Sequence, residues 1–309
     1  MRISSADRCA GVKRAGRSSG RRYSSALAAR ERYCAAMASR SSATYITPKY
    51  AASLLAGDAN DPRIQGLAWV RPGSKVLEIG CGYGAVTRLL IERLGCSVLA
   101  VDTNPECGAA VRGMGARFVC GDIDSPEVRA QLHEQHDFVL LMDVLEHLPW
   151  PDRTLAALMK LAGGQAQAVI TLPNIAVWHV RLPLLRGHFT YQDSGTLDRT
   201  HLRFFDLDGA QHLVHDAGLQ LLDLRYSWNI PWLGLAWSYS RLADDPQTER
   251  KALRRFPQHA RAISLALRAH RQVNALGWPE LLERTARAIR GSAPRLWTNH
   301  VIMLAQASA

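Results

Sequence analysis

The sequence predicts an α/β fold, and three observations lead to this class. An apolar run at 76–79 leads directly into a glycine-rich turn, and residues 85–94 continue with helical periodicity. Similar apolar runs recur further along the chain with helical patterns between them, as expected for strands joined by crossover helices. The chain has 309 residues, which is long enough to bury a sizeable core.

The turn after the first strand carries Gly80, Gly82 and Gly84 in a G-x-G-x-G pattern. Glycine tolerates positive φ and lets a ligand approach the backbone closely. Open α/β sheets bind ligands at the carboxyl ends of their strands, so we predict a ligand at this turn. A bound dinucleotide favours the different spacing G-x-G-x-x-G. An ordinary β-to-α turn without a ligand is the alternative.

The remaining elements follow in order along the chain. The run 137–142 is almost continuously apolar, which is typical of a strand buried on both faces. Asp206 is suited to be an N-cap and Gly218 to end the helix between them. The last strand is expected to pair antiparallel with the sixth. The predicted strands are 76–79, 97–101, 116–120, 137–142, 168–174, 219–224 and 298–305, and the predicted helices are 85–94, 153–161 and 206–217.

An acid, Asp102, follows the second predicted strand. In dinucleotide-binding folds an acid at this place accepts hydrogen bonds from the ribose hydroxyls. We therefore predict that Asp102 contacts a ribose. The alternative is that Asp102 only caps the next helix, ahead of Asn104 and Pro105.

Five motifs together resemble those of the class I S-adenosylmethionine (SAM) methyltransferases, and the nearest likeness is to the ubiquinone-pathway O-methyltransferases. The resemblance covers roughly 66–226 and 296–306. It implies a Rossmann-like, seven-stranded sheet in the order 3-2-1-4-5-7-6, with the last strand antiparallel and a helical insertion between strands 6 and 7. The motifs are VLEIGCGYG (76–84), VLAVD (98–102), GDI (121–123), LLMDVLEHL (140–148) and TLPN (171–174).

The resemblance also implies which residues bind SAM. Asp122 corresponds to the acid that meets the adenine amino group, although it could instead be only a turn former. The implied cofactor-binding residues are Glu78, Gly80, Gly82, Gly84, Asp102, Asp122 and Asp143.

His147, directly after the fourth strand, is the candidate catalytic residue. Methyl transfer to a hydroxyl requires an aligned acceptor and removal of a proton, and histidine has a suitable pKa for the second task. A capping or buried structural histidine is the alternative. We expect the polar loop 190–201 to border the acceptor.

A divalent metal is a further possibility that the resemblance raises. Asp143-x-x-Glu146-His147 resembles the acid-x-x-Glu-His element of the ubiquinone O-methyltransferases and the small-RNA 2′-O-methyltransferases, and the latter add a later histidine, for which His201 is the candidate. The two carboxylates and two imidazoles of this element would together suit Mg²⁺, Mn²⁺ or Zn²⁺. The predicted metal ligands are Glu146, His147 and His201. Asp143 stands where the family pattern has Glu, so it could face the cofactor instead.

The charge is distributed unevenly. The net charge is +11, but residues 1–40 hold ten Lys/Arg and two Asp/Glu, or +8, which leaves +3 for the rest. The basic excess therefore gives no argument for a nucleic-acid partner. We predict a disordered basic tail at 1–40, a methyltransferase domain at 41–226 plus 296–309, and a Trp-rich helical insertion or lid at 227–295. A transit peptide or an over-extended start are alternatives for the tail.

All six cysteines lie within the first 120 residues and none forms a C-x-x-C pair, so we expect free thiols and a cytoplasmic protein. No apolar run is long enough for a membrane span, although peripheral membrane contact stays open.

Three functions follow from these patterns. The main one is O-methylation of a small-molecule acceptor of quinone, lipid or glycan type, with SAM as methyl donor. A non-catalytic SAM-binding regulator or scaffold is the rival, and a metal-dependent RNA 2′-O-methyltransferase is a weaker alternative. An NAD-type dehydrogenase is disfavoured by the glycine spacing.

Overall fold

The computed structural model describes residues 60–228 and 294–308. These residues belong to one compact unit that spans Tyr45–Ala309. The predicted tail at 1–40 and nearly all of the predicted insertion lie outside the described residues.

Seven strands and eight α-helices alternate in the described part of the chain. The strands are β1 (Lys75–Ile79), β2 (Ser97–Asp102), β3 (Arg117–Cys120), β4 (Phe138–Met142), β5 (Gln167–Pro173), β6 (Leu219–Trp228) and β7 (Thr298–Ala307). The helices are α1 (Pro62–Leu67), α2 (Ala85–Glu92), α3 (Cys107–Gly113), α4 (Pro126–Arg129), α5 (Pro151–Ala162), α6 (Trp178–Leu185), α7 (Leu207–Asp216) and α8 (Pro294–Trp297), and a 3₁₀ turn covers Leu145–His147.

The strands form one sheet in the order β3-β2-β1-β4-β5-β7-β6. The first five strands are parallel, and β7 runs antiparallel between β5 and β6. Both the predicted order and the predicted antiparallel last strand are confirmed. The carboxyl ends of β1, β2, β4 and β5 therefore lie along one edge of the sheet, together with the first residues of β7.

Apolar side chains cover both faces of the sheet, as the continuous apolar strands predict. Leu77 and Leu141 pack on one face with residues of α5 and α7. Val76 and Leu140 pack on the other face with residues of α1, α2 and α3. This two-sided burial fixes the strand register, and so it fixes the positions of the loops that follow the strands.

Candidate active site

The glycine-rich turn links β1 to α2. Gly80, Gly82 and Gly84 all have positive φ, at 72°, 51° and 81°. A Cβ atom on Gly80 would lie 2.6 Å from Cγ2 of Val144, and one on Gly84 would lie 2.9 Å from Sδ of Met114. A Cβ on Gly82 would meet no atom of the described residues within 4 Å. Two glycines therefore pack against the protein, and the middle one faces open space where a ligand can approach.

Asp102, the last residue of β2, is bonded directly to this turn. Its Oδ2 accepts a hydrogen bond from the backbone N–H of Gly82 at 2.8 Å, and its Oδ1 accepts one from Asn104 at 2.9 Å. Burial raises the pKa of the carboxyl despite these donors. The structure thus brings Asp102 to the glycine turn. Asp102 does not cap the next helix, because the N-cap of α3 is Glu106.

Glu78 lies beneath the turn rather than on its surface. Its side chain is buried, and Oε2 accepts a hydrogen bond from Oγ1 of Thr87 in α2 at 2.6 Å. Burial is the main cause that raises the pKa of Glu78 to about 7. This bond ties β1 to α2, so Glu78 fixes the angle at which the helix leaves the turn.

Asp122 occupies the turn after β3. Its Oδ1 accepts a hydrogen bond from the backbone N–H of Asp124 at 2.8 Å, which is the bond of a turn former. The preceding Gly121 donates its N–H to the carbonyl of Asp102 at 2.9 Å. Asp122 therefore lies at the same edge of the sheet as Asp102.

A compact group of three side chains lies beyond β4. One ligand atom each from Glu146, His147 and His201 falls within 4.8 Å of the others. The two imidazole rings meet edge to face, with centroids 4.7 Å apart. The carboxylate of Glu146 is 1% exposed, and neither of its oxygens has a hydrogen-bond partner among residues 60–228 and 294–308. Buried carboxylate oxygens without donors are rare in folded proteins and call for an explanation.

Backbone carbonyls fix the orientation of both histidines. Nδ1 of His147 lies 3.2 Å from the carbonyl of Thr200, and Nδ1 of His201 lies 3.2 Å from the carbonyl of Thr196. Because a carbonyl can only accept, each Nδ1 carries the proton and each Nε2 keeps its lone pair. Histidines that bind metals are oriented in the same way.

The loop that brings His201 to this group is anchored by its backbone. The carbonyl of Glu146 accepts hydrogen bonds from the N–H groups of Leu202 and Arg203, at 2.8 and 3.0 Å. Oδ1 of Asp198 accepts from both the N–H and the hydroxyl of Thr200. The loop and strand segments between His147 and His201, 53 residues in all, are thus bridged by bonds that do not involve the imidazoles.

Burial determines the charge state of the three side chains. It lowers the pKa of His147 to about 4, with the neighbouring His201 as the second cause, and it also lowers the pKa of His201. Burial raises the pKa of Glu146 well above its usual range, and the nearby carboxylate of Asp143 adds to this shift. His201 is neutral at pH 7, so its 3.9 Å approach to Glu146 is not an ion pair.

Asp143, which the sequence pattern connects with both the metal and the cofactor, does not belong to this group of three. It follows β4 directly and accepts a hydrogen bond from Oγ1 of Thr171 at 2.7 Å, while Nε2 of His300 lies 3.7 Å away. Sequence analysis missed Thr171 and His300. The available signal was topological, since an antiparallel last strand must begin at the edge where the parallel strands end.

Three aromatic side chains surround the approach to His201. Phe189, Tyr191 and Phe204 contact one another, with ring centroids 5.3 to 6.5 Å apart, and Phe204 also lies 6.2 Å from the ring of His201. Each is at least 37% exposed. Aromatic residues are therefore part of the surface beside the predicted acceptor loop.

No helix within 60–228 or 294–308 combines the length and the apolar character that crossing a bilayer requires.

The sheet order, the glycine turn after β1 and the acid at the end of β2 define the class I SAM-dependent methyltransferase fold. A family model described as a methyltransferase domain matches residues 53–224, more than half of the chain. The chain therefore belongs to this methyltransferase family, whose cofactor is SAM.

The chain is also similar to individual known proteins. The ubiquinone biosynthesis O-methyltransferase of Burkholderia thailandensis is 28% identical over 160 residues, which cover 50% of this chain and 68% of the relative. The protein of the same name from Xanthomonas campestris is 28% identical over 184 residues, covering 55% and 72%. A solved SAM-dependent methyltransferase from Archaeoglobus fulgidus superposes with a TM-score of 0.44 at 17% identity, covering 82% of this chain and 93% of that one.

Proposed function

We propose that this methyltransferase transfers the methyl group of SAM to a hydroxyl of a small-molecule acceptor, and that a divalent metal ion takes part. The observation that carries the proposal is the group formed by Glu146, His147 and His201 beyond β4. The names of the two bacterial relatives, both O-methyltransferases, support a hydroxyl as the acceptor group.

The three side chains fit a metal ion. The oxygens of Glu146 are buried and receive no donor from the part of the chain that the structure describes, so a cation would supply the missing partner. Both histidines are neutral and present Nε2, the form in which imidazole binds metals. Two imidazoles and one carboxylate suit Mn²⁺, Fe²⁺, Co²⁺ or Zn²⁺ better than Mg²⁺, which prefers oxygen ligands.

A divalent ion held by these residues would lower the pKa of an acceptor hydroxyl and stabilise the resulting oxyanion. The protein's own residues would position the cofactor and the acceptor. The glycine turn and Asp102 position the cofactor, and the loop around His201 borders the acceptor. Phe189, Tyr191 and Phe204 offer aromatic surface to an apolar or ring-bearing acceptor.

A chelator tests the metal. Purified protein is incubated with SAM carrying a labelled methyl group and with a cell extract as the source of acceptors. We expect EDTA to abolish methyl transfer while calorimetry shows unchanged SAM affinity, because the metal-binding residues are separate from the glycine turn. Addition of excess Mn²⁺ should restore transfer. Methyl transfer that continues in EDTA would reject the metal.

Matched variants distinguish loss of the metal from loss of the fold. Glu146→Gln should lose EDTA-sensitive transfer yet unfold with a free energy about 1–3 kcal/mol higher in the metal-free protein, because the fold no longer has to protonate a buried carboxyl that has no donors. His147→Ala should lose transfer and retain SAM binding, whereas the exposed His133→Ala should retain both. If the unsubstituted protein transfers no methyl group to any fraction of the extract, the non-catalytic alternative is favoured.

RNA 2′-O-methylation is the second candidate, since the same three side chains favour it through the metal-binding element described above. Treatment of the extract with ribonuclease distinguishes the two acceptors. Label that disappears after ribonuclease treatment supports an RNA acceptor. Label that remains in the small-molecule or lipid fraction supports the main proposal.

A further inference from the structure

Two arginine side chains lie over one exposed tryptophan just beyond the candidate metal group. The guanidinium carbon of Arg153 lies 4.9 Å from the ring centroid of Trp150, and that of Arg203 lies 5.9 Å from it. The indole is 54% exposed, and both arginines are exposed as well. Two positive charges and an aromatic ring are therefore open to solvent at one place.

The backbone places these side chains beside the candidate metal group. Trp150 follows His147 by three residues, which span at most about 11 Å, and Arg203 follows His201 by two. Nη2 of Arg203 donates a hydrogen bond to the carbonyl of Pro149 at 2.7 Å. This bond fixes the side chain next to the indole, so the two segments that bring the histidines together also bring the two arginines together.

Neither guanidinium forms an ion pair within the part of the chain that the structure describes, although Asp152 is adjacent to Arg153 in sequence. Arg225 also lies over a tryptophan, but its Nε is 3.4 Å from Oδ2 of Asp223. Two like charges that share one ring repel each other. A bound anion would offset a repulsion that the described residues leave in place.

The chemistry of these three side chains favours an anionic ligand. A guanidinium that lies over an aromatic ring keeps its in-plane N–H groups available, and this planar fork matches the oxygens of a phosphate or a carboxylate. Phe204, the neighbour of Arg203 in sequence, belongs to the aromatic surface described above. The arginines are therefore suited to bind the charged end of a molecule whose apolar or ring-bearing part contacts that surface.

We propose that Arg153, Arg203 and Trp150 bind an anionic group, a phosphate or a carboxylate, that the methyl acceptor itself carries. The inference rests on the proposed function and names the substrate class for the same site. The acceptor is an acidic small molecule whose hydroxyl reaches the candidate metal group while its charged group binds the arginines. Both arginines position the acceptor and take no part in the proton transfer.

The charge of the labelled product tests this substrate class. After incubation of the protein with labelled SAM and cell extract, the products are freed of SAM and separated by anion exchange at about pH 8, where carboxylates and phosphates are charged and phenols are not. We expect an anion exchanger to retain the label, which stays in the aqueous phase for a soluble acid and enters the organic phase for an acidic lipid. Label found only in neutral molecules, or only in material that ribonuclease degrades, would overturn the inference while methyl transfer stands.

Charge variants connect this product to the two arginines. Arg153→Gln and Arg203→Gln should each raise the apparent KM for the labelled acceptor fraction about 10- to 100-fold, as for loss of a charge-assisted hydrogen bond, with kcat and SAM affinity unchanged. Arg153→Lys and Arg203→Lys keep the charge and should lose less. The matched control is Arg71→Gln, because Arg71 lies over the ring of Phe138 at 4.8 Å but at the opposite edge of the sheet, and this variant should keep the KM of the unsubstituted protein.

Inorganic phosphate is the probe for the site itself. It should inhibit transfer competitively with the acceptor, and the double variant Arg153→Gln, Arg203→Gln should lose this inhibition, which distinguishes the arginines from the metal. Inhibition that persists in the double variant would contradict the assignment. Equal KM increases in the glutamine and lysine variants would do the same, since a merely structural role does not depend on charge. If the unsubstituted protein methylates no fraction of the extract, the proposed function itself is rejected.

Discussion

At the scale of single residues, the acids of this site differ in how the protein compensates their burial. Glu78 receives a hydroxyl donor from Thr87, and Asp102 receives two backbone donors. Glu146 receives none within the described residues. A buried carboxylate without donors destabilises the fold. The presence of Glu146 at this position is therefore better explained by binding of a ligand than by a contribution to stability.

Glu78 makes the stability of the protein depend on pH. Its pKa is about 7 in the folded chain against an ordinary value of 4.5, so the folded state binds a proton that the unfolded state has lost between these values. The free energy of unfolding should therefore fall by about 3 kcal/mol as pH rises from 4.5 to 7, and stay lower above pH 7.

Glu78→Gln isolates this contribution, because other acids titrate equally in both proteins. Urea unfolding at several pH values should give a difference between the two proteins that changes over pH 4.5 to 7 and is constant outside that window. A difference that does not vary with pH would contradict the shifted pKa.

Sequence analysis identifies some of these site residues but not others. Glu146 and His147 are adjacent and follow a recognisable strand, so a motif identifies them. His201 requires the family resemblance, because 53 residues separate it from His147. Thr171 and His300 have no local pattern; their contacts with Asp143 depend on which strands are neighbours, which only the folded backbone determines.

At the scale of elements, two glycines of the turn pack against the protein and the third leaves room for a ligand. Gly80 and Gly84 have no room for a side chain, whereas Gly82 has open space. Gly82→Ala should therefore fold, with a cost of about 1 kcal/mol for positive φ, and should lose most of its SAM affinity.

Gly73→Ala is the matched control for this variant. Gly73 has a φ of 76° and open space around it, but it precedes β1 at the opposite edge of the sheet. Thermal unfolding should show a similar loss of stability for both variants, and calorimetry should show a loss of SAM affinity for Gly82→Ala alone. Equal SAM affinity in the two variants would show that the ligand does not approach Gly82.

Most elements follow from periodicity, and their ends follow from local chemistry. Asp206 accepts a hydrogen bond from the N–H of Gly209, which confirms it as the N-cap of α7. β6 extends to Trp228, four residues past the predicted end, because its pairing with β7 continues there. Sequence analysis gave no helix at α6, which contains Pro183, a residue that lowers helical propensity.

At the scale of the whole molecule, the sheet order was implied by the family resemblance rather than by composition or periodicity. Periodicity alone gives seven strands, but it does not say that β7 lies between β5 and β6. That arrangement depends on contacts between residues far apart in sequence, such as Leu172 with Val301 and Tyr226 with Val301.

Stabilisation of the complete chain by a bound ligand tests which cofactor it binds. A ligand that binds only the folded state at 100 times its Kd should raise the free energy of unfolding by about 2.7 kcal/mol. We expect SAM to raise the thermal midpoint and NAD to leave it unchanged, since the glycine spacing favours SAM. A shift with NAD and none with SAM would contradict the family's cofactor.

The antiparallel strand between β5 and β6 has a consequence for synthesis. Residues 298–307 supply the hydrogen bonds that join β6 to the other strands. While the ribosome is still making the chain, β5 has an unpaired edge and β6 has no neighbour in the sheet. The sheet, and with it the correct position of His300 beside Asp143, can be completed only after translation has passed β7. From the completion of β5 until then, the nascent chain has an open sheet edge that other chains could join.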